Sequence, residues 1–453
     1  METTIAAIST GNAPGGIGIV RISGPQARDV GDRVFRGKKK LRDMEGYTAA
    51  LGGAFTPEGE KLDQVVALVF AGPKSYTGED VVELSCHGGL YVTQRLLELV
   101  LQAGAQPAGP GEFTRRAFLN GKMDLTQAEA VMELIGASGE QAAREAEAGS
   151  GGALSRRVEA MAQQLTQLGA HLAAWADFPE EDVPVVEHQE LRQSLTQLEE
   201  ELQKLLSGFA TGQVFREGVR TVIAGRPNAG KSTLMNLLAG CQRSIVTQYA
   251  GTTRDVVEDT VLLGGIPLRL ADTAGLRETE DPVESIGVAA ARERLRTAQL
   301  VLAVFDSSQL LGKEDFSLME ELSSVPAVAV VNKTDLPTQV DLEAIRQRFA
   351  HVAFLSAASG EGLGELEAQV KDLLGTGKFD PSAGTLFTAR QRRQAELALE
   401  SLEEARGALD LGLTLDAVTV CVEDALGALY ALTGKQVSEE VVDQVFETFC
   451  VGK

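Results

Sequence analysis

Residues Gly225 to Ser232 read GRPNAGKS; they follow the apolar run TVIAG and open the helical pattern STLMNLLAG. A strand, a glycine-rich turn and a helix start in that order form a cradle for phosphates. The glycines let backbone N–H groups face inward, and the helix N-terminus favours negative charge. Asn228, Ala229 and Gly230 form the expected turn, and Lys231 is expected to reach the β and γ phosphates. Ser232 is expected to ligate Mg²⁺, with Thr233 next to it in the first helical turn.

Three further stretches decide which nucleotide this cradle serves: GTTRD at Gly251 to Asp255, DTAG at Asp272 to Gly275, and NKTD at Asn332 to Asp335. With SAA at Ser356 to Ala358, they have the order and strand-end placement of GTPase motifs. The reading therefore adds Thr247, Thr252, Thr253, Asp272, Thr273, Ala274, Gly275, Asn332, Lys333, Asp335, Ser356 and Ala357 to the nucleotide site. Asp335 would accept from the guanine N1 and N2 donors, which adenine does not present. Thr253 would contact Mg²⁺ and sense the γ-phosphate, while Gly275 would donate its N–H there. The residue after DTAG is Leu276, where Ras-like proteins carry a water-orienting Gln, so another group must position the water. Arg277 and Glu284 lie in the segment that follows, and either could reach it; a solvated acidic loop is the plainer alternative.

Around this site the texture changes. From Ile5 to about Lys122 short β-branched runs (GIGIVRISG, DQVVALVFAG, VVELSCHGG) alternate with Gly and Pro, and a helical pattern runs from Tyr91 to Gly104. Long Ala, Leu, Glu and Gln-rich helical patterns fill 123–216 and return after 380. Between them, apolar strands alternate with helices, which predicts a mostly parallel sheet covered on both faces. The expected fold class is a multidomain α/β chain with an N-terminal α+β domain (1–122) and an all-α helical domain (123–216 and 381–453). That helical domain is split by an inserted Ras-like P-loop GTPase domain (217–380). An insertion fits better than three domains in series, because domain termini commonly lie close together.

The formal net charge of −22 argues against a protein that grips nucleic acid by general attraction, so any RNA contact must be local or shared with a partner. No basic leader and no run of about 18 apolar residues is present, which predicts neither a signal peptide nor a membrane span. Cys86, Cys241, Cys421 and Cys450 show no CxxC spacing, which speaks against zinc and a disulfide framework and for a cytoplasmic setting.

The flanks carry SYTGEDVVELSCHGG, PGEFTRRAFLNGKMDLTQAEA and a final CVGK. With GIGIVRISG, GRPNAGKS and GTTRD, this ordered set resembles the tRNA modification GTPase family MnmE, also called TrmE, over the whole chain. The resemblance implies GTP hydrolysis coupled to modification of carbon 5 of the wobble uridine of certain tRNAs. An aminomethyl or carboxymethylaminomethyl group is added with a tetrahydrofolate one-carbon unit, in the 5-formyl or methylene form. It also implies a homodimer, an FAD-dependent partner of the MnmG (GidA) kind in a heterotetramer, and tRNA as substrate. For the first domain it implies a folate-binding-like fold and a role in dimerisation. By motif, Arg21, Glu83, Lys122 and Lys453 would hold the folate, and Cys450 would act on the uridine. Read alone, Cys450 could equally be a small packed hydrophobe on a helix end. His87 could serve the folate pocket or be a buried, hydrogen-bonded structural residue. The opening STGNAPGG departs from the ATPxGxGG of many members. Cys86, just before His87, is expected to vary.

The resemblance further implies a potassium ion held by the Asn228 side chain and by carbonyls of the Thr247 to Thr252 loop, including Tyr249. Pairing of two GTPase domains would close that loop, with Glu284 orienting the water. Two other function classes share part of this pattern. A regulatory GTPase of ribosome assembly would share every nucleotide motif, and a folate-binding docking module would leave the chemistry elsewhere.

Overall fold

Seven strands of the N-terminal segment hydrogen-bond into one sheet. They are β1 (Ile5–Ile8), β2 (Ile17–Ser23), β3 (Phe35–Gly37), β4 (Thr48–Phe55), β5 (Lys61–Phe70), β6 (Val81–His87) and β7 (Gln106–Pro107). Along β2, β5 and β6 the side chains alternate between a buried and a more open face. The computed structural model describes residues 3–177, 187–240, 259–270, 295 and 297–453. The strand order is β3-β4-β5-β6-β2-β1-β7, antiparallel except for β1 with β7. Val20, Ile22, Val82 and Leu84 face a core shared with Val30 of helix α1 (Ala27–Val34) and with Leu96 and Val100 of α2 (Leu90–Gln102). The opposite face holds the alternate residues, and the β2–β6 register sets Arg21 directly across from Glu83. Helix α3 (Glu112–Leu119) follows.

The chain divides into two compact units, Met1–Met132 with Leu426–Lys453, and Glu133–Ala425. In the second unit, helices α5 (Glu140–Ser150), α6 (Ala153–Asp177) and α7 (His188–Glu217) come after α4 (Leu125–Gly136) and lead into another sheet. Its strands are β8 (Val219–Ala224), β9 (Asp259–Leu263), β10 (Ile266–Leu270), β11 (Leu300–Asp306), β12 (Ala327–Asn332) and β13 (Val352–Phe354). The order is β13-β12-β11-β8-β10-β9, and only the β9–β10 pairing is antiparallel. Strands β11 and β12 are buried at every residue, which is why they read as apolar runs, LVLAVF and AVAVV, up to the Asp306 and Asn332 that end them. Leu234 and Leu238 of α8 (Lys231–Gly240) share a core with Leu302 and Val304. Met319 of α9 (Lys313–Glu321) and Ile345 of α10 (Leu342–Arg348) pack with Val301, Ala303 and Phe305. Leu366 and Val370 of α11 (Leu363–Leu373) join the first of these two cores. The expectation of a mostly parallel sheet with helices on both faces describes this arrangement. Helices α12 (Ala389–Asp410), α13 (Leu415–Thr433) and α14 (Glu439–Glu447) complete the chain. Among the described residues no helix is long and apolar enough to cross a membrane.

The two crossings between helices and inserted sheet are adjacent. Helix α7 packs along α12, with Arg406 Nε donating to Glu199 at 2.8 Å. At its end Phe215 stacks on Phe379 of the returning chain, with ring centroids 5.1 Å apart. Gly218 then turns at φ 74°, where a β-carbon would lie 2.6 Å from the Pro267 carbonyl, so the turn needs glycine. Beside it Arg216 Nη1 meets Glu145 Oε1 at 2.8 Å, with side chains only 7% and 0% exposed. Thr385 donates to that same oxygen, and Phe209 and Phe387 place their rings 5.6 and 5.5 Å from the guanidinium.

Arg216→Met strands a buried carboxylate and is expected to destabilise the fold by about 3–5 kcal/mol in denaturant unfolding. Removing both charges, in Arg216→Met/Glu145→Met, is expected to recover most of that loss. Equal stability of the single variant and the parent would contradict the assignment of this pair as a structural joint.

Candidate functional site

The phosphate cradle lies between β8 and α8. Gly230 sits at φ 98°, and a β-carbon there would come within 2.1 Å of Asn332 Nδ2. Only glycine meets both demands. Asn228 also takes a positive φ, 66°, which asparagine tolerates. Lys231 Nζ donates to the carbonyls of Gly225 at 2.7 Å and Arg226 at 2.9 Å, so its ammonium is curled inside the turn. Ser232 and Thr233 are exposed in the first turn of α8. Arg226 braces the turn from outside, with Nη1 3.2 Å from Asp315 Oδ2 and 3.2 Å from the Leu310 carbonyl.

One buried side chain connects three of the predicted motifs. Asn332, at the end of β12, donates through Nδ2 to the Ala229 carbonyl at 2.9 Å, and its Oδ1 accepts from the Ala357 N–H at 2.9 Å. Lys333, at φ 64°, reaches back to the Asn228 carbonyl at 2.8 Å and to Asp306 Oδ2 at 2.6 Å. Burial works against the charge of Asp306, but Lys333 and Ser308 outweigh it and hold its carboxyl below the usual range. Ser356 is buried, and its Oγ accepts from the Ser359 N–H at 3.4 Å. Asp335 stands exposed beyond this frame. The structure thus brings together Asn228, Ala229, Gly230, Lys231, Asn332, Lys333, Ser356 and Ala357. Thr247, Tyr249, Thr252, Thr253, Asp272, Thr273, Ala274, Gly275, Leu276, Arg277 and Glu284 lie outside the described residues.

A second charged cluster lies in the N-terminal unit. Arg21 Nε meets Glu83 Oε1 at 2.8 Å, and each side chain is 16% exposed. Arg21 Nη1 also donates to the Gly452 carbonyl at 3.4 Å, and the guanidinium lies 5.8 and 5.6 Å from the Tyr76 and Phe113 rings. Burial pushes the Lys453 ammonium below its ordinary pKa; Arg21 acts in the same direction and Glu83 against it. Backbone bonds secure this tail: Gly111 N–H to the Cys450 carbonyl at 3.3 Å and Phe113 N–H to the Lys453 carbonyl at 3.2 Å. Gly452 turns at φ 99°, where a β-carbon would lie 2.2 Å from the Ile8 carbonyl. Cys450 is half-buried just beyond α14.

Lys122 is placed differently from the other three, exposed and with Nζ 3.1 Å from the Pro73 carbonyl. Of the two readings of His87, the buried one does not hold. His87 is hydrogen-bonded, Nδ1 to Asp63 Oδ1 at 2.8 Å, but 75% exposed rather than buried, because it ends β6 where the sheet gives way to solvent. Cys86 is buried, and burial pushes its thiol up. Sequence reasoning passed over Asp306, Arg226, Tyr76 and Phe113. For Asp306 a signal existed, an acid ending an otherwise apolar strand, LVLAVFD.

Residues 125–450 match the family model described as MnmE helical domain, and residues 4–122 the one described as GTP-binding protein TrmE N-terminus. The chain is 46% identical over 457 residues to the tRNA modification GTPase MnmE of Symbiobacterium thermophilum, with 100% of each chain covered. It is 43% identical over 463 residues to that of Heliobacterium modesticaldum and 42% over 459 residues to that of Geobacillus kaustophilus, with 99% of each chain covered in both cases.

Asn332→Ala leaves the Ala229 carbonyl and the Ala357 N–H without partners, at about 1–3 kcal/mol. It is expected to weaken guanine nucleotide binding by roughly 5- to 150-fold in a fluorescence titration. Asp335→Asn should leave the frame intact and transfer preference to xanthosine nucleotides, whose base complements the exchanged donor and acceptor. Unaltered GTP preference in Asp335→Asn would refute its placement at the base.

Proposed function

The chain belongs to the MnmE (TrmE) family of tRNA modification GTPases, and from that premise we propose how its residues share the work. It is a GTP hydrolase, with the Mg²⁺-dependent catalysis of its family, that takes part in modifying the wobble uridine of tRNA. The observation that carries the nucleotide half is the Asn332 bridge, which holds the phosphate turn and the base-side loop in one frame.

At the phosphates, Lys231 exchanges its carbonyl partners for β and γ oxygens, and the N–H groups at the start of α8 face the same charge. Ser232 and Thr253 would hold Mg²⁺, which supplies charge neutralisation between the β and γ phosphates. The exposed Ser232 hydroxyl at the helix start fits that role. Asp335 selects guanine, and the Ala357 N–H, already aligned by Asn332, lies on the base side. Leu276 cannot orient a water, so Glu284 takes that part, with Arg277 as the neighbouring candidate. Asn228 is exposed, and Lys333 donates to its carbonyl; its side-chain oxygen would hold a potassium ion together with Thr247, Tyr249 and Thr252. Such an ion supplies positive charge next to the phosphates, where an arginine finger would otherwise act. Pairing of two GTPase domains would exclude water from that space.

The Arg21, Glu83 and Lys453 cluster suits a reduced folate. A carboxylate complements the pterin N–H edge, cations complement a glutamyl tail, and Tyr76 and Phe113 supply apolar ring surface. Lys122 joins from the Pro73 side only on the strength of the family motif. The folate, in 5-formyl or methylene form, supplies the one-carbon unit for carbon 5, and Cys450 contributes its thiol to the uridine chemistry. Ile17, Leu51 and Val66 remain 64%, 62% and 38% exposed, apolar surface suited to a homodimer. An FAD-dependent MnmG (GidA) partner completes a cytoplasmic heterotetramer.

Cys450→Ser separates the two halves. GTP hydrolysis should persist, while the modified wobble nucleoside, read by mass spectrometry in cells carrying only this variant, should disappear. Modification at the parental level would remove Cys450 from the chemistry, and the loss of both activities would mark a packing role.

A further inference from the structure

From Arg33 to Arg42 the chain reads RVFRGKKKLR, so six of ten residues are cationic in a protein of net charge −22. Strand β3, which carries Arg36, is the edge of the N-terminal sheet. All six cations are exposed. The Arg36 guanidinium lies over the Phe55 ring, 4.5 Å from its centroid, a cation–π contact at the sheet edge. Its register partner is Gly53, and the Lys61 side chain lies close to that glycine, so the positive edge extends onto β5. Arg33 donates to the Ala103 carbonyl, and Arg42 pairs with Asp32 at 3.1 Å and Asp29 at 3.8 Å. Asp43 and Glu45 follow, and Glu58 and Glu60 precede Lys61. Among the described residues, none of Lys38, Lys39 and Lys40 forms an ion pair. By contrast Arg392 and Arg393 of α12 are matched to Glu396 at 3.2 Å and Glu400 at 3.2 Å.

We propose that the β3 edge, Arg36 with Lys38, Lys39 and Lys40, is a surface that takes the phosphate backbone of RNA. The proposal rests on the reading that tRNA is the substrate and says where this acidic chain touches it. Phosphate is favoured over a protein partner by what the patch lacks. Between Arg36 and Glu45 the large hydrophobics, Leu41 and Met44, are buried, and the exposed Leu51 on neighbouring β4 belongs to the apolar surface assigned above to the homodimer, so the cationic segment itself offers no apolar centre of the kind protein interfaces need. Lysine is depleted from such interfaces, whereas exposed lysines without an ion-pair partner, in the bend that follows β3, suit counterion release from a polyanion. Contacts of this kind position the RNA without reading its sequence.

The test uses the full chain. The triple variant Lys38→Ala/Lys39→Ala/Lys40→Ala changes exposed residues only and is read by tRNA binding across a salt series, by GTP hydrolysis and by the wobble nucleoside in complemented cells. Binding should weaken roughly tenfold or more, and the slope of log affinity against log salt should fall by about two to three, at roughly 0.7–0.9 per phosphate contact. GTP hydrolysis should be unchanged. The triple Lys→Arg variant should bind like the parent, and Arg36→Glu should weaken binding on its own. Arg392→Ala/Arg393→Ala should leave the slope unmoved. If the parent restores the nucleoside but the triple Ala variant and Arg36→Glu bind tRNA with its affinity and slope, the surface is refuted and the tRNA reading stands. An acidic protein docking on this edge would give that same result. If the parent fails to restore the nucleoside, the tRNA reading falls and the proposal with it.

Discussion

The frame that ties the glycine-rich turn to the loop after β13 depends on the buried amide of Asn332. Its two hydrogen bonds, to the Ala229 carbonyl and from the Ala357 N–H, cross from β12 to the phosphate turn on one side and to the loop after β13 on the other. A buried amide satisfied on both ends specifies one relative placement of two loops, since either bond lost leaves a desolvated group unpaired. Lys333 repeats the tie one residue later, with the buried carboxylate of Asp306 holding its charge. The requirement for glycine at position 230 follows from the same residue, because the Asn332 amide occupies the space a β-carbon would fill.

That frame sits on a sheet whose strands β11 and β12 are buried at every position and apolar up to their last residues, Asp306 and Asn332, so the polar groups gather at one end without weakening the core. The joint to the helices is likewise concentrated. A ring stack of Phe215 on Phe379 and a buried Arg216–Glu145 pair are placed where the chain leaves the helices and returns. An inserted domain needs both ends of the insert near one another, and these contacts show how that is met here.

Much of this was legible in the sequence because it is local. The phosphate turn, its flanking strand and helix, and the alternation of strands with helices each lie within a short window. Strand β4 was not legible: TAALGGAF carries little β-branched signal, and its Gly52 is demanded by the Phe35 ring and the Arg36 carbonyl on a neighbouring strand. The pairing of Arg21 with Glu83 comes from sheet register, and their meeting with Gly452 joins positions more than 400 residues apart in the chain. No window of sequence contains either. His87, open in the sequence between a pocket residue and a buried structural one, is exposed by its place at the end of β6.

The Asn332 and Lys333 bonds all close inside the inserted domain, so the proposed guanine nucleotide site is expected not to depend on the helices around it. The most direct test is GTP binding by a fragment of residues 215–380, which keeps Phe215 against Phe379, compared with the full chain by calorimetry. The expected result is a folded fragment with an affinity within a few-fold of the parent. A folded fragment that fails to bind GTP would contradict it.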